Sequence, residues 1–213
     1  MTKKLTWIFW IVLLVFLLAY PFLFGAYYTN VVVIFGIMSL FALTVNLLLG
    51  FTGLLSFGHA MFFGVGAYAT ALSLTHIEGL PLLVSILIGI AASAVFALIL
   101  CPMLVRASGT AFTMLTLAFG MLMYTLSLKL RDITGGEDGI GGFPTPDFSI
   151  PGVVSFDMTD PLNFYYFALV VLLVSMWALW FLTKTPFGTV IIAIRDNSMR
   201  VNYMGLSRIA MIT

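Results

Sequence analysis

From Leu5 to Lys184 the chain is a series of apolar runs, each roughly twenty residues long. Short polar breaks separate them: YYTN at 27–30, HIEG at 76–79 and RASG at 106–109. A helix rises about 1.5 Å per residue and a bilayer core is about 30 Å thick, so runs of this length are those that span it. Charged residues make up only 8% of the chain. A soluble domain carries about 25%, so water cannot be the solvent of this surface. The fold class expected is all-α, a polytopic membrane protein with about six spans, near 5–25, 31–49, 55–75, 81–104, 110–129 and 161–183. Together they form a transmembrane domain over 1–183, interrupted by a polar loop at 131–160 and followed by a polar segment at 184–208.

The N-terminus places Lys3 and Lys4 before an apolar run from Leu5 to Phe24, with Pro21 near its end. A cleaved signal has a core of about 7–15 residues and a small-residue cleavage site. This run is longer and lacks such a site, so it reads as an uncleaved first span. With a cytoplasmic N-terminus, six alternating spans put Lys3, Lys4, Arg106, Lys184, Arg195, Arg200 and Arg208 inside. Lys129 and Arg131 are then the only cations outside, among Glu78, Asp132, Glu137, Asp138, Asp147, Asp157 and Asp160. The excess of inner Lys and Arg is the pattern of a correctly oriented inner-membrane protein. No internal repeat of the kind that marks many secondary transporters is evident.

Residues 50–69, GFTGLLSFGHAMFFGVGAYA, break the apolar pattern in an unusual way. Each interior glycine weakens a helix by about 1 kcal/mol relative to alanine, so the glycines answer some other need. Ser56, Ala60 and Gly64 recur every fourth residue, a small-residue face on which another helix can pack closely. Thr52 and Gly53 read as a local break, whose freed backbone must be shielded by protein or line a wet cavity. His59 is an ionisable group inside an apolar run. It reads either as part of a transport pathway or as a packed histidine bonded to a neighbouring backbone group.

Nothing in the chain argues for catalysis. A lone His59 is a poor zinc site, because zinc takes about four ligands. There is no G-x-S-x-G, H-E-x-x-H or G-x-x-x-x-G-K-[ST] motif. The single cysteine, Cys101, sits in an apolar stretch and reads as a packing residue.

Two polar stretches remain. TGGEDGIGGFPTP (134–146) is turn-rich and acidic, either a solvated loop or a docking surface for an external partner. TPFGTVIIAIRDNSMRVNYMGLS (185–207) predicts two short amphipathic helices. Pro186 opens the first, Asn197 or Ser198 caps the second and Gly205 ends it. They suit the bilayer surface or a groove in a soluble partner.

GFTGLLSFGHAMFFGVGAYATA (50–71), MLTLAFG with TGGEDGIGG (114–120 and 134–142), and the 185–207 stretch together resemble the permease subunits of branched-chain amino acid ABC importers. Within that family the LivM-type member of the permease pair is the nearer likeness. The resemblance covers about residues 30–208. It implies a multi-pass protein of the bacterial inner membrane, moving leucine, isoleucine and valine inward. The implied partners are a LivH-type permease, two ABC ATPase subunits and a soluble extracytoplasmic binding protein, in membrane lipid and without nucleic acid. ATP and Mg would sit on the ATPases, so no cofactor is expected in this chain.

The resemblance places ATPase coupling on Phe187, Gly188, Arg195, Asp196, Asn197 and Gly205. It places binding-protein docking on Gly135, Gly136, Glu137 and Asp138, and a substrate pathway on Thr52, Gly53, Ser56, Gly58 and His59. The family pattern A-x-R-D-N-E is departed from at Ser198. Further spans follow the coupling segment in the family, so residues 209–213 read as the start of one and the chain as truncated after them. A related permease for urea, short amides or other amino acids is the alternative. A secondary transporter or channel is a more distant one.

Overall fold

The computed structural model describes residues 3–77, 79–104, 106–107, 109–142, 148–150, 154–186, 188, 191–192 and 195. Among the described residues six long helices dominate: α1 (Lys3–Leu23), α2 (Ala26–Leu47), α3 (His59–His76), α4 (Leu82–Leu104), α5 (Thr110–Lys129) and, after a one-turn α6 (Arg131–Thr134), α7 (Pro161–Lys184). A π-helical turn, Leu48–Thr52, extends α2. Ala26–Thr52, α4, α5 and α7 are each long and apolar enough to cross a membrane. The described apolar part of α1, Trp10–Leu23, is shorter, and α3 is diluted by glycines, hydroxyls and two histidines. The fold is all-α, and the 131–160 loop adds a two-stranded antiparallel ribbon, β1 (Phe148–Ile150) and β2 (Val154–Phe156), with Ser149 opposite Ser155.

The helices pack in two groups. In the first, α7 lies against α2 and α1. Pro21 lies inside α1 and has no N–H, so the carbonyl four residues back, on Leu17, loses its usual helical donor. Tyr165 of α7 donates its hydroxyl to that carbonyl at 2.8 Å, and Tyr166 donates to the Leu18 carbonyl at 2.9 Å. Tyr165 is 1% exposed. In lipid a carbonyl has no water to turn to, so the proline and the tyrosine pair form one device. Asp160 starts α7 by accepting the Leu162 N–H at 3.0 Å, with Pro161 in the first turn.

In the second group α3 packs on α4, with α5 beside them. Met61, Leu100, Leu104 and Phe112 form its buried apolar cluster. Large apolar side chains such as Phe35, Leu98 and Trp177 face outward, a surface that hydrocarbon accommodates and water does not.

Two local expectations are corrected. YYTN does not break the chain: Tyr27 to Asn30 lie in the first turns of α2, and the gap falls at Phe24–Gly25. Thr29 is buried and donates to the Gly25 carbonyl at 3.3 Å, so its polarity is absorbed inside the helix. The small-residue contact between helices is also elsewhere. Phe62, Gly66 and Thr70 of α3 meet Gly89 and Ser93 of α4, and the Ser93 hydroxyl donates to the Phe62 carbonyl at 2.9 Å. Ser56 precedes the start of α3, and a side chain on Gly64 would meet open space.

Candidate functional site

Ala60, Gly64, Tyr68 and Leu72 recur every fourth residue along α3 and line one wall of a cavity of about 960 Å³. The opposite wall is α5, through Leu117, Gly120, Met121 and Tyr124. Phe57 borders the cavity at one end, and Thr134, Gly136, Glu137, Asp138 and Gly139 border it at the other. The small residues Ala60 and Gly64 therefore leave the space between α3 and α5 unfilled. The stripe is a cleft wall and not a helix contact.

The loop at the far end is built by glycine conformation. Gly135 ends α6 at φ 75°, and Gly136 and Gly139 follow at 65° and 68°, values that side-chain-bearing residues adopt only at a cost. The buried Thr134 hydroxyl lies 2.5 Å from the Ser127 carbonyl and 2.8 Å from the Leu130 carbonyl, and it accepts the Gly136 N–H at 3.4 Å. That ties the loop to the end of α5. Glu137 and Asp138 remain exposed at the cleft mouth. After the ribbon, Asp157 accepts from the Thr159 hydroxyl and, at 2.8 Å, from the Thr159 N–H. These bonds, the side-chain one first, hold the Asp157 carboxyl below its ordinary pKa.

The other end of the cleft rests on the broken segment. In the π turn the Thr52 hydroxyl donates to the Leu48 carbonyl and accepts the Leu54 N–H at 3.2 Å. Gly53, at φ 71°, ends the turn with its N–H on the Leu49 carbonyl. Residues 54–58 then cross to α5 without regular structure. Thr113 donates to the Leu55 carbonyl at 3.1 Å, and the Phe57 N–H donates to the Thr116 hydroxyl at 3.3 Å. Thr116 is 1% exposed. A Cβ on Gly58 would drive into the Thr116 backbone carbonyl, so only glycine permits this approach.

His59 looks away from the cleft. Its Nε2 lies 3.0 Å from the Thr44 hydroxyl, and its ring meets Phe41 edge-on at 5.4 Å. The Thr44 hydroxyl donates to the Phe41 carbonyl at 2.7 Å, so its oxygen is left to accept and the imidazole Nε2–H donates. The five residues expected to line a pathway thus split. Gly58 and Ser56 flank Phe57 at the cleft floor, Thr52 and Gly53 form the π turn and its end, and His59 joins α3 to α2. The cleft-lining residues Tyr68, Leu117, Met121 and Tyr124 were not singled out by the sequence. For Tyr68 the signal was the four-residue step onward from Ala60 and Gly64; Leu117, Met121 and Tyr124 lie on α5, where that step does not reach.

Of the expected coupling residues, Phe187, Asp196, Asn197 and Gly205 lie outside the described residues, as does the segment 209–213. Gly188 closes a tight turn after α7, its N–H on the Thr185 carbonyl at 3.0 Å and its Cα side against the Thr183 backbone. Arg195 donates from Nη1 to the Gly50 carbonyl at 2.5 Å.

Residues 27–211 match the family described as branched-chain amino acid transport system, permease component. The chain belongs to this family. It is also 30% identical, over 94% of its length, to the high-affinity branched-chain amino acid transport system permease protein LivM of Escherichia coli (strain K12). The LivM protein of Salmonella typhimurium matches at the same identity and coverage. The chain spans about half the length of these curated relatives, 51% of each. No solved structure matches it. This LivM-type permease is a multi-pass protein of the bacterial inner membrane.

Proposed function

We propose that this permease helps carry branched-chain amino acids inward, and that the cleft between α3 and α5 is its share of the path. The cleft carries the reading. Its volume of about 960 Å³ falls within the range of about 300–1,000 Å³ typical of small-molecule sites. Its walls are leucine, methionine and aromatic side chains with glycine gaps, which reward an aliphatic side chain by removing it from water. Methionines 61 and 121 adapt their shape, which suits a set of ligands differing by one methylene. Thr134, Ser127, Glu137 and Asp138 supply hydroxyls and negative charge at one end, where an α-ammonium group would sit. Urea would gain little from such walls, since it needs hydrogen bonds on every side.

The family supports the remaining parts of the proposal. A LivH-type permease completes the path, two ABC ATPases drive it, and a soluble binding protein delivers substrate to the loop carrying Gly135, Gly136, Glu137 and Asp138. Thr52, Gly53, Ser56 and Gly58 frame the floor of the path, and His59 holds α3 to α2 behind it. Phe187, Gly188, Arg195, Asp196, Asn197 and Gly205 belong to the segment that receives the ATPase stroke.

The test is ATP-dependent uptake of labelled leucine and labelled urea into vesicles holding the complete transporter. Gly64→Leu should put a side chain into the cleft, since a Cβ there meets nothing within 4 Å. Leucine uptake is expected to fall about tenfold or more, the effect of losing one or two well-placed contacts, at unchanged membrane abundance. Full leucine uptake in that variant would remove the cleft from the path. Urea uptake in place of leucine would change the substrate.

A further inference from the structure

A helix leaves its last carbonyls without intrahelical donors, and its C-terminal end carries partial negative charge. The helix Ala26–Thr52 ends in the π turn. Two of its terminal carbonyls find local partners: Leu48 takes the Thr52 hydroxyl and Leu49 takes the Gly53 N–H. The Gly50 carbonyl takes the guanidinium of Arg195, 145 residues further along the chain. Gly53 makes the approach possible, because a Cβ there would lie 2.8 Å from the Arg195 Cγ and 3.2 Å from its Cδ. The same corner holds an apolar contact: Leu47 and Phe51 of the helix end share a small cleft with Leu182, Gly188 and Ile191.

We infer that Arg195 is a positioning residue, a cap supplied from a distant segment that ties the chain after α7 to the floor of the α3–α5 cleft. The path of force is short. Arg195 holds Gly50 at the π turn. The turn continues into residues 54–58, which Thr113 and Thr116 clamp to α5 by the Leu55 and Phe57 backbone bonds. Gly120 of α5 faces the Gly58 backbone, where its Cβ would stand 3.5 Å from the Gly58 Cα, and Gly120 and Phe57 both line the cleft. A displacement of Arg195 therefore reaches the cleft wall through the π turn and the short segment after it, without passing along a whole helix. The resemblance to known permeases places ATPase coupling on Arg195. The bond from its Nη1 to the Gly50 carbonyl adds a contact with the membrane domain. Arginine suits this task because its charge is permanent and its planar donor fork is pre-organised. The inference rests on the import reading for its consequence and on the local geometry for the cap itself.

Two readouts separate these. The complete transporter with its neighbouring subunits is reconstituted as wild type, Arg195→Met and Arg195→Lys. Hydrogen exchange of the backbone amides of 48–58 reads the cap. Arg195→Met is expected to speed that exchange about tenfold, the factor expected for one charge-assisted hydrogen bond, and Arg195→Lys to restore part of the protection. Leucine moved per ATP hydrolysed reads the coupling, and it is expected to fall in the same order while the ATPases still co-purify. Unchanged exchange in Arg195→Met would overturn the cap. Loss of ATPase co-purification with exchange unchanged would place Arg195 at the ATPase surface instead. If exchange quickens and the transport ratio holds, Arg195 caps the helix without positioning the cleft, and the inference fails at that step. Failure of the wild-type complex to import leucine would sink the import reading and leave the exchange result standing.

Discussion

Two stretches of this permease are rich in glycine, and they use it for opposite reasons. Between residues 50 and 66 only Gly53 has a positive φ. Gly58 and Gly66 have ordinary backbone and are needed because a neighbouring helix lies where a Cβ would be. Between 135 and 142 the conformation itself is the requirement, since Gly135, Gly136, Gly139 and Gly142 all have φ between 65° and 75°. The lesson is that glycine content marks both close packing and tight turning. The cost of replacing one depends on which of these it serves.

The largest effect expected from a single added methyl is at Gly58. Gly58→Ala should cost about 2–3 kcal/mol, because the Thr116 backbone it meets is held in α5 and cannot yield. Gly64→Ala, with open space around it, should be neutral or stabilising by about 0.5–1 kcal/mol through helix propensity. Reversible unfolding in mixed micelles measures both. Equal stability of the two variants would erase the distinction between packed and open glycines within α3 and its approach.

In the loop, Gly135→Ala combines left-handed strain with a clash on the Gly139 backbone, and about 2 kcal/mol is expected. Gly139→Ala has the strain alone, with nothing within 4 Å, and about 1 kcal/mol is expected. The difference between them isolates the clash, and the same unfolding measurement reads it. Should Gly139→Ala prove the costlier, the loop is held by contacts other than the Gly135–Gly139 approach.

The smallest effect lies beyond the loop, at Asp157. Its folded pKa is depressed by the Thr159 bonds, so its contribution to stability is present above the ordinary carboxylate pKa and is lost as pH falls through the lowered value. Thr159→Ala removes the hydroxyl bond and should move the Asp157 titration upward. A carboxyl NMR titration follows it directly, and an unmoved midpoint would show that the side-chain bond does not set the value.

Much of the fold could be read before the structure. The helix bounds fall within a few residues of the apolar runs, except at YYTN, where polar residues sit inside α2. Short polar groups there bond to the preceding turn, as Thr29 does to Gly25, so polarity alone was a poor sign of a break. The Thr52–Gly53 break was legible because a glycine after a polar residue has a local meaning. The helix contact face was not legible. A helix in lipid is apolar toward its neighbours and toward the hydrocarbon alike, so hydropathy carries no phase about its axis.

The same physics divides what the chain determined alone from what the packing decided. Run length, scarcity of charge, and local signals such as Asp160 with Pro161 are properties of neighbours in sequence, and they determined the all-α membrane class and local helix starts such as that of α7. Which small residues touch, where space is left between α3 and α5, and that Arg195 meets Gly50 are properties of residues tens to more than a hundred positions apart. They depend on how each helix is rotated against the next. That rotation is set by steric fit and by carbonyls that find no donor in their own helix, as at Leu17 and Gly50, and both can be read only from the assembled molecule.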